Sequence, residues 1–143
     1  MSHCFADNKN RKYTVSMTLG RVRKIRESYG LDIFSNDDWQ RITASLGERL
    51  AYLWFLVSDQ AESFDLNLDA WELSLQGEGI ASGASDAFFK ELTDFYRRYD
   101  QQELAILTET QVETMNKARK VISGPDFQAK MNQQIEALLS GAT

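Results

Sequence analysis

Apolar residues recur at spacings of three and four along most of the chain, the period that lets one face of an α-helix meet a core. Leu19, Val22, Ile25 and Tyr29 fall on one such face. Thr18 offers a side-chain oxygen to the first turn and Gly30 can take the left-handed conformation that ends it, so a helix is predicted over residues 19–29. A turn across residues 30–36 then leads to Asp37 or Asp38, either of which can start a second helix. Its stripe of Trp39, Ile42, Leu46, Leu50, Leu53, Trp54 and Val57, widened by Phe55 and Leu56, runs on without a visible stop. A helix apolar on most sides is buried on most sides, which makes residues 50–57 the expected centre of the core.

Asn67 can cap a short third helix carrying Leu68, Trp71 and Leu75, which closes in Gly77, Glu78 and Gly79. Ile80, Ala84, Ala87, Phe88, Leu92, Phe95 and Tyr99 come next at helical spacing, with Phe89 and Tyr96 alongside. This aromatic helix is expected to pack on the second. No Gly or Pro occurs between Ala84 and Ser123, so it either continues through Leu104, Leu107, Val112, Met115 and Ile122 or breaks near Asp100. Gly124 and Pro125 end that stretch, and Asp126 opens a last helix with Phe127, Met131, Ile135 and Leu138 on one face. Period-two alternation occurs near the start, where Tyr13, Val15 and Met17 interleave with Thr14, Ser16 and Thr18, and it predicts a short strand or hairpin arm.

The expected fold is therefore mainly α, with a flexible segment over residues 1–12, a compact helical core over 13–103 that opens on the short β arm, and a C-terminal helical hairpin or arm over 104–143. A chain of 143 residues has the length of one ordinary domain and can bury a core without disulfides or metal. The narrow apolar stripes of residues 104–139 suit helix pairing: either the two helices pack on each other, or they form part of a groove for a helical partner.

Charge and composition narrow the function classes. The longest strongly apolar stretch is residues 50–57, far short of the roughly 20 residues that cross a bilayer, so no membrane span is expected. Residues 1–10 are polar and carry no signal-like apolar run. The single cysteine, Cys4, has no partner for an intramolecular disulfide, which fits a reducing compartment, and the expected location is the cytoplasm. Net charge is −5, yet residues 1–30 carry +5 through Lys9, Arg11, Lys12, Arg21, Arg23, Lys24 and Arg26 against Asp7 and Glu27. A basic head on an acidic body can orient a partner, although a solvated helix face is the plainer reading.

Catalytic chemistry finds little support. The single histidine is His3, in a terminal segment expected to be disordered, and with Cys4 it makes neither a dyad with further support nor a zinc site. Gly77, Gly79 and Gly83 lack the preceding strand and the Lys of a phosphate loop, so a hinge between helices is the expected role. Glu91 with Asp94, and Asp59 with Glu62, share helix faces, but a carboxylate metal site of the helical-bundle kind needs a histidine beside them. Trp39, Trp54 and Trp71 sit at core spacing, and the acids Asp65, Asp69, Glu72, Glu91 and Asp94 have the wrong sign for a nucleic-acid stacking platform. The expectation is a protein-binding protein, not an enzyme, with no cofactor and no specific nucleic acid; a small DNA-associated module using the basic N-terminal helix is the alternative.

The segments YTVSMTLGRVRKIRESYGLDIF, RLAYLWFLVSDQAE and LNLDAWELSLQGEGIASGASDAFFKELTDFYRR, in that order, resemble the tail assembly chaperones of long-tailed bacteriophages and gene transfer agents. The likeness covers about residues 12–99 and consists of patterns of residue type: a helix ending near Gly, an apolar helix, an acidic short helix, a Gly-containing turn, and a closing helix with the paired aromatics Phe88, Phe89, Phe95 and Tyr96. It implies a protein that keeps the helical tape measure protein in solution, helps recruit tail tube subunits and is absent from the finished particle. The arm from Leu104 onward is longer than the family pattern, so the resemblance implies nothing about its role.

Overall fold

The computed structural model describes residues 3–123 and 125–141. Among them are seven helices and one two-stranded antiparallel sheet, so the chain is mainly α with a small β arm. It divides into two compact units, residues 1–108 and 109–143. The first unit reaches past the expected limit at 103 because Ala105 and Thr108 are buried, and the Thr108 hydroxyl accepts a hydrogen bond from the Trp39 indole at 3.1 Å.

The arm starts earlier than period-two alternation predicts. Strand β1 (His3–Ala6) pairs with β2 (Lys12–Val15) in the register His3 to Val15 and Phe5 to Tyr13. Residues 3–12 are thus ordered by pairing, which corrects the expectation of a flexible segment; Phe5 and Asp7 are both buried. The turn between the strands is built by Asp7, whose carboxylate accepts from the backbone N–H groups of Lys9 and Arg11 at 2.9 Å each, and by Asn10 at φ 61°. Asp and Asn are suited to this, since a short polar side chain can mimic a backbone turn and tolerates the left-handed region. The outer edge of β2 does not stay open: the Gln60 amide donates to Thr14 O and accepts from Thr14 N, both at 2.8 Å.

Helix α1 (Leu19–Tyr29) has the predicted ends, with Thr18 accepting from Arg21 N and Gly30 at φ 71°. The expected long second helix is instead two, α2 (Asn36–Ala44) and α3 (Leu46–Ser63), broken at Ser45, whose backbone is extended at φ −114° and ψ 124°. The Ser45 hydroxyl accepts from Glu48 N and so caps α3. Apolar spacing carries on through this break, which is why periodicity alone reads one helix. Asn67 caps α4 (Leu68–Leu73), and Gly79 at φ 78° precedes α5 (Ile80–Arg98). Beyond α5 the chain breaks rather than continuing as one helix: Asp100 sits at φ 59° and α6 (Gln102–Ser123) begins afresh. Helix α7 (Pro125–Gly141) ends the described chain; Gly124, expected as a stop, lies outside the described residues.

In the first unit α3 and α5 sandwich the core with β1 lying against α5 and β2 against α3. Tyr13, Val15, Met17, Ile42, Leu53, Leu56, Val57, Trp71, Phe88, Leu92, Phe95 and Tyr96 are buried there. Residues 50–57 contribute one face only, because Leu50, Trp54 and Phe55 are partly exposed. Burial raises the phenol pKa of Tyr96 far above its ordinary value, so the hydroxyl stays protonated and donates to Ile33 O. Arg49, 4% exposed, donates from Nε to Ser85 Oγ at 2.7 Å and from one terminal nitrogen to Thr43 O at 2.8 Å, with Ile42 O at 3.3 Å. Its guanidinium lies 4.8 Å from the Phe89 ring centroid. A cation at the last carbonyls of α2 faces the negative end of that helix, so one side chain ties α2, α3 and α5 together.

In the second unit no described side chain of residues 109–141 is buried. Val121 is 64% exposed, Ile135 49% and Leu138 75%. Among the described residues the stripes of the arm therefore do not bury each other fully, which favours the second of the two expected roles, a surface for a helical partner; the side chains of Ile122 and Phe127, assigned to those stripes, lie outside the described residues.

Candidate functional site

The residues that could carry chemistry are placed by the hairpin and α5. Side chains alternate along a strand, so neighbours in β1 face opposite ways. Cys4 is exposed with its sulfur 3.7 Å from Thr14 Oγ1, whereas His3 is turned to α5, where its Nε2 lies 2.7 Å from Asp94 Oδ2. The pair His3 and Cys4 is split and forms no dyad. In its place His3 joins Glu91 and Asp94, so the histidine missing from the carboxylates on α5 arrives from a strand far away in sequence.

Glu91 is the buried member of this group. Its Oε2 accepts from Met17 N at 2.7 Å, and Arg98, about two helical turns further on, approaches the same oxygen at 3.5 Å while donating to Met17 O at 2.9 Å. These two side chains thus clamp the backbone of Met17, the residue that links β2 to the cap of α1. Glu91 Oε1 is buried and has no hydrogen-bond partner among the described residues.

At the other end of the hairpin Asp7 is closed off from solvent and meets Arg11 Nε at 2.7 Å. Burial alone pushes the Asp7 carboxyl up, but the Arg11 guanidinium and the backbone N–H groups of Arg11 and Lys9 together hold it below its ordinary value. Tyr13 is affected in turn: burial first, then the Asp7 charge, raise its phenol pKa.

The tryptophans are core, not a platform. Trp39 and Trp71 are buried, and Trp54 packs its ring 5.4 Å from that of Trp71. Gly77, at φ 126°, and Gly79 form the turn between α4 and α5, the connector role expected of them, whereas Gly83 lies inside α5, which corrects the hinge role expected of it. Asp59 lies 3.8 Å from Arg21 on the wall of an open groove of about 420 Å³ between α1 and α3, where Lys24 and Glu62 also line the walls beside stacked Tyr29 and Phe55.

A run of exposed apolar residues lies on α7. Met131, Ile135 and Leu138 stand at intervals of four and three and so share one face, with Leu139 beside them, all between 43% and 75% exposed. Isolated exposed apolar residues are ordinary, but a contiguous helical stripe is the form of a binding surface. The narrow stripe was legible in the sequence; that nothing within its own unit covers it was not. No helix among the described residues is long and apolar enough to cross a membrane. Comparison of the chain with family models, with curated proteins and with solved structures gives no match.

Proposed function

We propose that this chain is a tail assembly chaperone of the long-tailed phage type, a non-catalytic protein that binds the tape measure protein and helps recruit tail tube subunits in the host cytoplasm. The observation that carries the reading is the open stripe of Met131, Ile135 and Leu138 on α7. An amphipathic helix presenting anchors at i, i+4 and i+7 pairs with another amphipathic helix, and a tape measure protein is a long helical chain of such segments. The ordered resemblance over residues 12–99 supports the same reading. The two units divide the labour: the first is held by its own core, and the arm is left to take a partner.

Co-expression with candidate tape measure and tail tube proteins, followed by pull-down, tests this reading. A stable complex with the tape measure protein is expected; capture of neither protein refutes it. The DNA-associated alternative draws on the exposed Arg23, Lys24 and Arg26 of α1; Asp59 and Glu62 share a groove with Lys24, and Asp32 shares one with Arg23 and Arg26, and these acids set charges that repel phosphate. A mobility-shift titration near physiological salt is expected to show nothing tighter than the roughly 10⁻⁴ to 10⁻⁶ M of non-specific contact.

A further inference from the structure

We propose that His3, Glu91 and Asp94 form a binding site for one divalent transition-metal ion of the zinc type, which fastens the N-terminal hairpin to α5. One donor atom from each of the three lies within 4.8 Å of the other two. An imidazole nitrogen with two carboxylate oxygens is a mixed set that suits zinc, a borderline-soft ion, better than magnesium or calcium, which prefer oxygen alone. Zinc bonds of about 2.0 to 2.2 Å at tetrahedral angles set ligand atoms roughly 3.4 Å apart, so the wider separations here must close by up to about 1.4 Å and the His3–Asp94 contact must open slightly, both within the reach of side-chain rotation.

Two features separate this group from an ordinary ion pair. His3 and Asp94 already meet at 2.7 Å without help from Glu91, so the pair alone does not explain a second carboxylate at the same place. Glu91 is also 2% exposed with Oε1 lacking a partner among the described residues, although Oε2 is served by Met17 N and Arg98. A buried carboxylate oxygen without a donor is costly, and a cation supplies what it lacks. Arg98 is spent on Oε2 and on Met17 O, and its side chain is 43% exposed, so solvent screens its repulsion of an incoming ion. Three protein ligands leave the remaining position to water.

The test uses the full chain, untagged and stripped of metal with a chelator, titrated with Zn²⁺ by calorimetry near pH 7.5 and melted with and without the ion. One ion per chain is expected, with a melting temperature raised by about 5 °C or more at saturating zinc. His3→Ala and Asp94→Asn alter partly exposed side chains outside the core, and each is expected to weaken binding at least ten-fold while melting close to the parent when zinc is absent. Glu91→Gln, which keeps an acceptor for Met17 N, is expected to weaken it likewise. The proposal is overturned if the parent shows no saturable zinc binding, or if Asp94→Asn binds as the parent does, which would place the ion elsewhere on the acidic surface.

Discussion

Asp7→Asn removes one negative charge from a carboxyl whose side chain has no solvent exposure, while keeping its shape. The carbonyl of asparagine still accepts from Lys9 N and Arg11 N, the two bonds that shape the turn. What is lost is the contact of Oδ2 with Arg11 Nε at 2.7 Å, together with the long hydrogen bond it accepts from the Tyr13 hydroxyl at 3.5 Å. A hydrogen bond to a charged group contributes about 1.5 to 3 kcal/mol, and the 27% exposure of Arg11 argues for the middle of that range, about 2 kcal/mol. With a urea slope near 2 kcal/mol per M, the unfolding midpoint at pH 7 should fall by about 1 M. The loss must also depend on pH. The folded Asp7 carboxyl holds its proton less tightly than the unfolded one, so its stabilisation is complete above the unfolded value of about 3.9 and is lost as pH falls through the depressed folded value. Urea titrations followed by tryptophan fluorescence, from pH 7 down to about pH 3, should therefore show parent and variant differing by a constant amount above pH 5 and converging below pH 4. A variant as stable as the parent at pH 7, or a difference that persists at low pH, would refute the role given to this carboxylate.

Two further substitutions separate parts of the core. Leu53→Ala should lower stability by about 2 to 5 kcal/mol because Leu53 is fully buried, and Trp54→Ala by less because Trp54 keeps one side in solvent; equal losses in denaturant midpoints would contradict that placement. Arg49→Met keeps volume but strands Ser85 Oγ and the carbonyls of Ile42 and Thr43, so a loss of about 3 kcal/mol is expected in the same assay, and a neutral outcome would mean that water or a neighbour takes over those groups.

Local signals in the sequence carry the helices that end in residues with special backbone demands. Thr18 and Gly30 bound α1, and Asn67 starts α4, because capping chemistry acts within a turn. The break at Ser45 is harder to read, since Trp39, Ile42, Leu46, Leu50 and Leu53 keep their spacing across it, and the cap from Ser45 to Glu48 is the one signal of a new start. Strand β1 offers four residues with a single buried apolar side chain, too few for alternation to register. The run Asp7, Asn8, Lys9, Asn10 ahead of Tyr13 was the available turn signal for the hairpin. The group of His3, Glu91 and Asp94 has no local signature at all, because His3 and Asp94 stand 91 residues apart and meet only when β1 settles on α5. The same holds for Arg49, whose partners come from α2 and α5.

The central claim, that the stripe on α7 is where the chain takes its partner, is tested most directly by measuring tape measure binding to the double variant Ile135→Asp with Leu138→Asp. Both side chains are exposed, so the melting temperature should not change. Burying a side chain of this size stabilises by about 1.5 kcal/mol or more, and losing two such contacts corresponds to affinity reduced on the order of a hundred-fold in calorimetry. Binding equal to that of the unaltered chain, with both proteins folded, would contradict the claim.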